Sequence, residues 1–113
     1  MIPVQEVIDV IKDAVNGKVP IVPVRIEWDA QWCGDVPFML GDWRIEFYND
    51  CDELDYVERV AAPDGRTGEY NDWEHDPIET MWFTEDFPYI ERLDQMLMDA
   101  KMPEDAIQGA DGV

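Results

Sequence analysis

The residue types that most often carry nucleophilic or metal chemistry are scarce in this chain. Cys33 and Cys51 are its two cysteines, and His75 is its one histidine. Cys51 stands in a run of carboxylates, which raise the pKa of a thiol and so weaken a cysteine nucleophile. Two cysteines and one histidine also fall short of the four ligands of a structural zinc site. We therefore predict that the protein is not an enzyme, with no catalytic residue, no metal site and no cofactor.

Carboxylates are the one reactive group present in abundance. Asp50, Asp52, Glu53 and Asp55 offer oxygen ligands of the kind that Ca²⁺ prefers, but their spacing lacks the glycine and the final glutamate of an EF-hand loop. Acid/base chemistry of the glycosidase type needs one specific pair of carboxyl groups, and the sequence distinguishes no such pair. Weak, adventitious cation binding is the expectation for this run.

The net charge of the chain is its most unusual property. It has 27 acidic and 8 basic residues among 113, for a net charge of −19. This charge repels the phosphates of nucleic acids and the headgroups of anionic membranes, so direct binding to either is not expected. It favours fast encounter with a basic protein surface.

The acidic excess is greatest between residues 49 and 79, which carry a net charge of −9. Aromatic residues alternate with the acids there. The pattern allows two interpretations: a solvated surface that keeps the protein soluble, or a binding surface that imitates a row of phosphates with stackable rings. For the second interpretation the candidate binding residues are Tyr48, Asp50, Asp52, Glu53, Asp55, Tyr56, Glu58, Tyr70, Asp72 and Trp73.

The elements that would position these residues begin with an amphipathic helix over residues 3–16. Its apolar residues recur at helical spacing, and Gly17 suits the position after the helix end. Pro20 and Pro23 then exclude helix, and the alternation in Val22–Trp28 predicts a strand. Asp29–Pro37 is expected to be a loop.

A hairpin follows, in which Gly41-Asp42 joins Phe38–Leu40 to a strand over Trp43–Asn49. The next predicted strand is Asp55–Ala61, with Val57 and Arg59 on one face and Tyr56, Glu58 and Val60 on the other. Pro63-Asp64-Gly65 is a turn. Thr67–Trp73 is predicted to return as a short edge strand.

The C-terminal part predicts a short helical turn over Asp76–Trp82 and a final helix to about Lys101. The start of that helix is signalled by Thr84, Asp86 or Pro88, and Ile90, Leu93, Leu97 and Ala100 share its apolar face. The fold class is therefore α+β: a single antiparallel sheet of three to four strands flanked by an N-terminal and a C-terminal helix, in the order α-β-β-β-β-α. We expect a single domain over residues 1–102 and a flexible tail over 103–113.

The location is predicted from what the sequence lacks. No apolar run approaches the length of a membrane span, and the acidic N-terminus lacks the basic region of a secretory signal. We therefore expect a cytoplasmic protein whose two thiols are reduced.

The middle of the chain resembles a small family of bacterial domains of unknown function. The resemblance is carried by the run FYNDCDELDY at Phe47–Tyr56, by the turn Ala62-Pro63-Asp64-Gly65-Arg66, and by the Asp76-Pro77-Ile78 step before the last helix. It covers roughly Gly41–Leu97. The family brings no activity, cofactor or partner that could be transferred to this chain.

These observations predict a non-enzymatic acidic binding protein. It would occupy a basic, nucleic-acid-binding surface of a protein partner, as phage or mobile-element inhibitors such as anti-CRISPR proteins do, or as immunity proteins do. The alternative is a bacterial accessory domain that binds a small ligand or a divalent cation between sheet and helices.

Overall fold

The computed structural model describes residues 2–30, 32–51, 53–73 and 90–102. Within them the chain forms three helices, five strands and one 3-10 turn at Trp28–Ala30. The helices are α1 (Val4–Val15), α2 (Tyr70–Trp73) and α3 (Ile90–Asp99), and the strands are β1 (Ile21–Pro23), β2 (Cys33–Leu40), β3 (Trp43–Asp50), β4 (Glu53–Ala61) and β5 (Thr67–Glu69). The strands form one antiparallel sheet in sequential order. The α+β prediction is confirmed, with five strands instead of three to four.

Helix α1 forms where the apolar periodicity predicts it. Val7, Ile11 and Val15, which recur every four residues, are all buried. The helix ends in a Schellman motif: the N–H of Gly17 donates to the carbonyl of Ala14, and the N–H of Lys18 donates to that of Asp13. Gly17 has a φ of 78°, which a residue without a Cβ adopts most readily.

The two turns predicted from glycine positions are also present. Gly41 has a φ of 59° and is the first central residue of the β2–β3 turn, as a type II′ hairpin requires. Gly65 has a φ of 94°, and its N–H donates to the carbonyl of Ala62 across the β4–β5 turn.

The hydrophobic core lies between one face of the sheet and the helices α1 and α3. Phe38, Ile45, Phe47 and Val57 enter it from the sheet, and Leu93 and Leu97 enter it from α3. The alternation along β3 thus separates a core face from an opposite face that carries Arg44, Glu46 and Tyr48. In the described part of the chain, no helix has the length and apolar character needed to cross a membrane.

Two predictions for residues 22–37 are wrong. The strand predicted over Val22–Trp28 ends at Pro23, and Trp28 instead lies in the 3-10 turn with its ring fully buried. The apolar alternation arises because Ile26 and Trp28 both pack on the core from a non-strand connection. The loop predicted over Asp29–Pro37 is strand from Cys33 onward, since this segment pairs with β3 along its whole length.

The edge strand predicted over Thr67–Trp73 stops at Glu69. Helix α2 begins at Tyr70, and a carboxylate oxygen of Asp72 accepts a hydrogen bond of 3.0 Å from the N–H of Glu69. An acidic side chain that reaches back from the third helical position in this way satisfies an N–H at a helix start. The local cap therefore ends the strand.

Helix α3 ends at Asp99, close to the predicted end near Lys101, and Leu93 and Leu97 lie on its buried face as predicted. The predicted helical turn at Asp76–Trp82, the start signals Thr84, Asp86 and Pro88, and the tail over 103–113 lie outside the described residues.

Candidate tyrosine–carboxylate binding face

Three tyrosines from three different elements form a row. The rings of Tyr48 on β3 and Tyr56 on β4 stack, with centroids 5.0 Å apart and an interplanar angle of 13°. The ring of Tyr70, the first residue of α2, lies with its centroid 4.7 Å from that of Tyr56 at an angle of 49°. All three side chains are half-buried, so the row presents ring surface to solvent on the face of the sheet opposite the core.

Two bulges in β4 determine which side chains reach this row. Tyr56 is the register partner of Tyr48, whereas Asp55 and Glu58 have no register partner on β3. Each of these two acids is therefore the extra residue of a bulge, and a bulge re-aims side chains next to it.

The bulges also correct the predicted faces of β4. Leu54, Val57 and Val60 are all buried in the core, three residues apart, while Arg59 pairs with Glu46 on the opposite face. The prediction that Val57 and Arg59 share one face and Tyr56 and Val60 the other is wrong, because strict alternation cannot represent an extra residue.

Carboxylates surround the tyrosine row closely enough to affect one another. Partial burial, and then the negative charges of Glu58 and Glu46, raise the pKa of Asp35. Partial burial, and then Asp50 and Glu53, raise the pKa of Asp55. The set that we call the tyrosine–carboxylate face comprises Asp35, Tyr48, Asp50, Asp55, Tyr56, Glu58 and Tyr70.

The tyrosine hydroxyls respond to the same charges. Burial, a hydrogen bond to Glu58 and the charge of Glu58 raise the pKa of Tyr56. Burial, and then the charge of Asp50, raise the pKa of Tyr48. Both phenols therefore stay protonated and can donate hydrogen bonds at neutral pH.

Two arginines of this side of the sheet are engaged with Glu46, a buried acid in the middle of β3. Arg59 donates to the Glu46 carboxylate at 2.8 Å, and the Arg44 guanidinium lies 3.8 Å from it. The charges of Arg25 and Arg59 also partly offset the raised pKa of Asp35. Among the described residues, Asp50, Glu53 and Asp55, toward the β3–β4 turn, are therefore left without a neighbouring cation.

The β3–β4 turn also brings the two cysteines together. The Sγ atoms of Cys33 and Cys51 are 3.0 Å apart, and both residues are exposed. One carboxylate oxygen of Asp50 and the two sulfur atoms lie within 4.8 Å of one another, which is the arrangement in the described residues that could hold a metal ion. Three exposed ligands are one short of a structural zinc site, so we do not assign one.

Most of the predicted binding residues are brought together by the structure. Tyr48, Asp50, Glu53, Asp55, Tyr56, Glu58 and Tyr70 share the sheet face or its adjoining turn. Asp72 is exposed, but its carboxylate caps α2. Asp52, His75 and the side chain of Trp73 lie outside what the structure describes.

Sequence reasoning missed two residues. Asp35 falls in the predicted loop, although it is the register partner of Tyr48. Trp32, with 65% of its surface exposed, directly precedes Cys33, the register partner of Asp50. Counting residues back from the Gly41-Asp42 turn along an extended β2 would have found both positions.

Fold and site together define a small acidic α+β domain whose sheet presents stacked tyrosines among carboxylates. Residues 1–95 match the model of the family described as Domain of unknown function (DUF7693), and the chain belongs to this family. The expected membership of a small domain family of unknown function is thereby confirmed. Comparison with curated proteins and with solved structures gave no match in either case.

Proposed function

We propose that this protein is a non-enzymatic binding protein that places its tyrosine–carboxylate face against a basic surface of a protein partner. The observation that carries the proposal is the stacked pair Tyr48 and Tyr56. The nearby carboxylates of the β3–β4 turn have no neutralising cation among the described residues. Rigid aromatic area beside acidic groups offers both contact energy and charge complementarity to a basic partner.

The electrostatic state of the carboxylates supports a cationic partner. The pKa values of Asp35 and Asp55 are raised because partial burial and neighbouring acids disfavour their charged forms. An arginine or lysine brought against them would relieve this repulsion, and a guanidinium could bind a carboxylate through two hydrogen bonds.

The exposed indole of Trp32 directly precedes Cys33, whose register partner Asp50 belongs to the acidic β3–β4 turn. Tryptophan is enriched among residues that dominate binding energy at interfaces, and a largely exposed one is costly to leave in water. We include Trp32 in the proposed interface for this reason.

The partner we propose is a protein that itself binds nucleic acid, since a rigid row of carboxylates with stackable rings imitates a phosphate strand. Inhibitors encoded by phages or mobile elements, such as anti-CRISPR proteins, and immunity proteins share this size and charge. We further propose a bacterial origin and a cytoplasmic location, and we propose the Phe47–Tyr56 run as a signature of the family.

Catalysis is not part of this proposal. A hydrogen bond with Cys33, burial and nearby negative charge raise the pKa of Cys51 to about 11, which leaves this thiol a weak nucleophile at neutral pH.

The alternative is an accessory domain that binds a small ligand or a divalent cation. The α1–β1 connection and the end of α3 line an open groove of about 530 Å³ between Lys18 and Met96. Melting temperatures measured with and without Ca²⁺ and Zn²⁺ would distinguish the proposed binding protein from this alternative. A large stabilisation by a cation favours the alternative.

The proposal is tested by neutralising charge without changing shape. The partner is captured from a lysate of the natural host and identified, and its binding kinetics are measured with the triple variant Asp50→Asn, Glu53→Gln, Asp55→Asn. We expect a lower association rate and a weaker dependence on salt. The melting temperature should stay the same or rise, because burial, Asp50 and Glu53 raise the pKa of Asp55 and the triple removes that cost.

The matched control is the triple variant Asp9→Asn, Asp42→Asn, Asp99→Asn, which removes the same charge elsewhere. These residues are exposed, and the amides can still accept the hydrogen bonds from Gln5 and Gln95. Equal weakening by both triples would show diffuse charge attraction only. Unchanged binding by the first triple would reject the proposed interface.

A further inference from the structure

Two thiols from distant parts of the chain meet beside the β3–β4 turn. Cys33, the first residue of β2, is the register partner of Asp50, and Cys51 is the next residue of the chain. Their Sγ atoms are 3.0 Å apart and both residues are exposed. Formation of a disulfide requires the two sulfur atoms to approach by only about 1 Å, and solvent-borne reagents can reach them.

The backbone at Cys51 is unusual. Its φ of 53° lies in the left-handed region, and among the described residues it is the one non-glycine residue with a positive φ. Cys51 is the first residue of the two-residue connection between Asp50 and Glu53, a position that glycine or asparagine normally fills. A cysteine there is strained, and such strain persists where the surroundings hold it and where a side chain is needed.

We propose that Cys33 and Cys51 are a site of reversible oxidation, at which a low-molecular-weight disulfide such as oxidised glutathione closes an intramolecular disulfide. The bond would join the start of β2 to the β3–β4 turn. This inference is independent of the proposed binding function, although the turn also carries Asp50 and Glu53 of that interface.

The chemistry is two successive thiol–disulfide exchanges. The thiolate of Cys33 attacks one sulfur of oxidised glutathione, forms a mixed disulfide and releases one glutathione thiolate. Cys51 then loses its proton to solvent and attacks the Sγ of Cys33, which releases the second glutathione. In total the two cysteines lose two protons and two electrons, and one glutathione disulfide is reduced to two thiols.

The electrostatics favour this order of attack. The hydrogen bond with Cys33 is the largest cause of the raised pKa of Cys51, so Cys51 is a poor first nucleophile. Once Cys33 carries glutathione, that hydrogen bond and the negative charge of a Cys33 thiolate are both removed. Cys51 is then a better nucleophile than it was beside the Cys33 thiol, and its Sγ lies close enough to that of Cys33 for the second exchange.

The closed bond should make the turn more rigid and stabilise the fold. It would link residues 18 apart in the sequence, and a cross-link of this span restricts the unfolded chain. We expect the oxidised protein to melt roughly 5 °C or more above the reduced protein.

The experiment is equilibration of the full chain with mixtures of reduced and oxidised glutathione, in buffer with EDTA so that no bound cation protects the thiols. The reaction is quenched with acid, and remaining thiols are alkylated under denaturing conditions before intact-mass analysis. We expect a species that has lost two hydrogens and takes up no alkyl group. The same mixtures acting on the denatured chain should need at least about tenfold more oxidant to close the bond, because only the fold holds the sulfur atoms together.

The variants Cys33→Ser and Cys51→Ser are the controls. Each keeps one thiol and should stop at the mixed disulfide, with a melting temperature that does not rise on oxidation. Persistent mixed disulfides in the native protein, disulfide-linked dimers, two alkyl groups at every glutathione ratio, or an oxidised form that melts below the reduced one would each overturn the proposal.

Discussion

The aromatic rings of Tyr48 and Tyr56 stack across adjacent strands at 5.0 Å, on the face of the sheet that the core does not occupy. Cross-strand aromatic pairs stabilise a sheet, but this pair lies among carboxylates and remains partly accessible to solvent. The arrangement keeps two protonated phenols and several acids in fixed relative positions. A partner would therefore meet a preorganised surface and would not have to order it on binding.

Trp32 should dominate the energy of binding while contributing little to folding. Its exposed fraction is 65%, so Trp32→Ala removes little buried area from the folded protein. We expect the affinity for the captured partner to fall by at least about tenfold, mainly through faster dissociation. Truncation of an interfacial tryptophan commonly costs roughly 2 kcal/mol or more of binding free energy. The control is Val24→Ala at the other exposed large apolar side chain found in the described residues. Equal effects of the two variants would remove Trp32 from the interface.

Asp35→Asn should stabilise the protein at neutral pH. The pKa of Asp35 is raised above its ordinary value of 3.8 by burial first, then by Glu58 and Glu46, and its Oδ1 atom has no hydrogen-bond partner among the described residues. A raised pKa in the folded state means that the carboxylate destabilises the fold once pH exceeds that pKa, and that this cost disappears at lower pH.

The melting temperature of Asp35→Asn should therefore exceed that of the unaltered protein at about pH 7, by a few degrees, and the difference should shrink toward about pH 4. Asp42→Asn, in the exposed β2–β3 turn, removes the same charge and serves as the control. A gain that is independent of pH, or one matched by Asp42→Asn, would contradict the role of burial at Asp35.

Added salt should raise the melting temperature of the whole protein. A net charge of −19 on 113 residues produces mutual repulsion, and the Debye length falls to roughly 10 Å at 0.1 M salt. We expect a rise between low and moderate NaCl concentration in a thermal scan. A flat or falling response would mean that local ion pairs already compensate the acidic residues.

Salt should weaken the contribution of the Arg66–Glu6 ion pair to stability, in contrast to its effect on the whole protein. Two hydrogen bonds of 3.2 and 2.8 Å from the Arg66 guanidinium to Glu6 connect the β4–β5 turn to α1, and Asp64 accepts two more from Arg66. Glu6→Gln should lower the melting temperature slightly at low salt, and the difference from the unaltered protein should disappear at high salt. Asp9→Asn on the same helix should show no such loss. A salt-independent loss would assign the effect to packing.

Asn49 is expected to be the most sensitive polar position of the sheet. It is fully buried, and its Nδ2 atom donates to the carbonyl of Trp28 at 3.2 Å, which ties the 3-10 turn to β3. Asn49→Ala leaves that buried carbonyl without this donor and opens a cavity. We expect the free energy of unfolding, measured by denaturant titration, to fall by about 1–3 kcal/mol. Asn71→Ala, at an exposed position of α2, should cost far less, and equal losses would show that the Asn49 hydrogen bond has no special weight.

The sequence by itself determined local features, such as helix α1 and the glycine turns, and properties of the whole composition, such as the net charge. Helix α1 follows from apolar spacing, because a period of 3.6 residues needs no partner to be recognised. The turns at Gly41 and Gly65 follow from the backbone freedom of glycine. The acidity follows from composition alone, and it leads us to predict that nucleic acid is not a direct partner.

Tertiary structure decided the features that depend on pairing between strands. The two bulges of β4 place Asp55 and Glu58 beside Tyr56, and no alternation pattern contains the extra residue of a bulge. Pairing with β3 likewise turned the expected loop at Asp35 into a strand and set Cys33 beside Cys51. Sequence patterns report which face of an element is apolar, whereas the cross-strand register decides which polar side chains meet, and in this protein that register builds the candidate site.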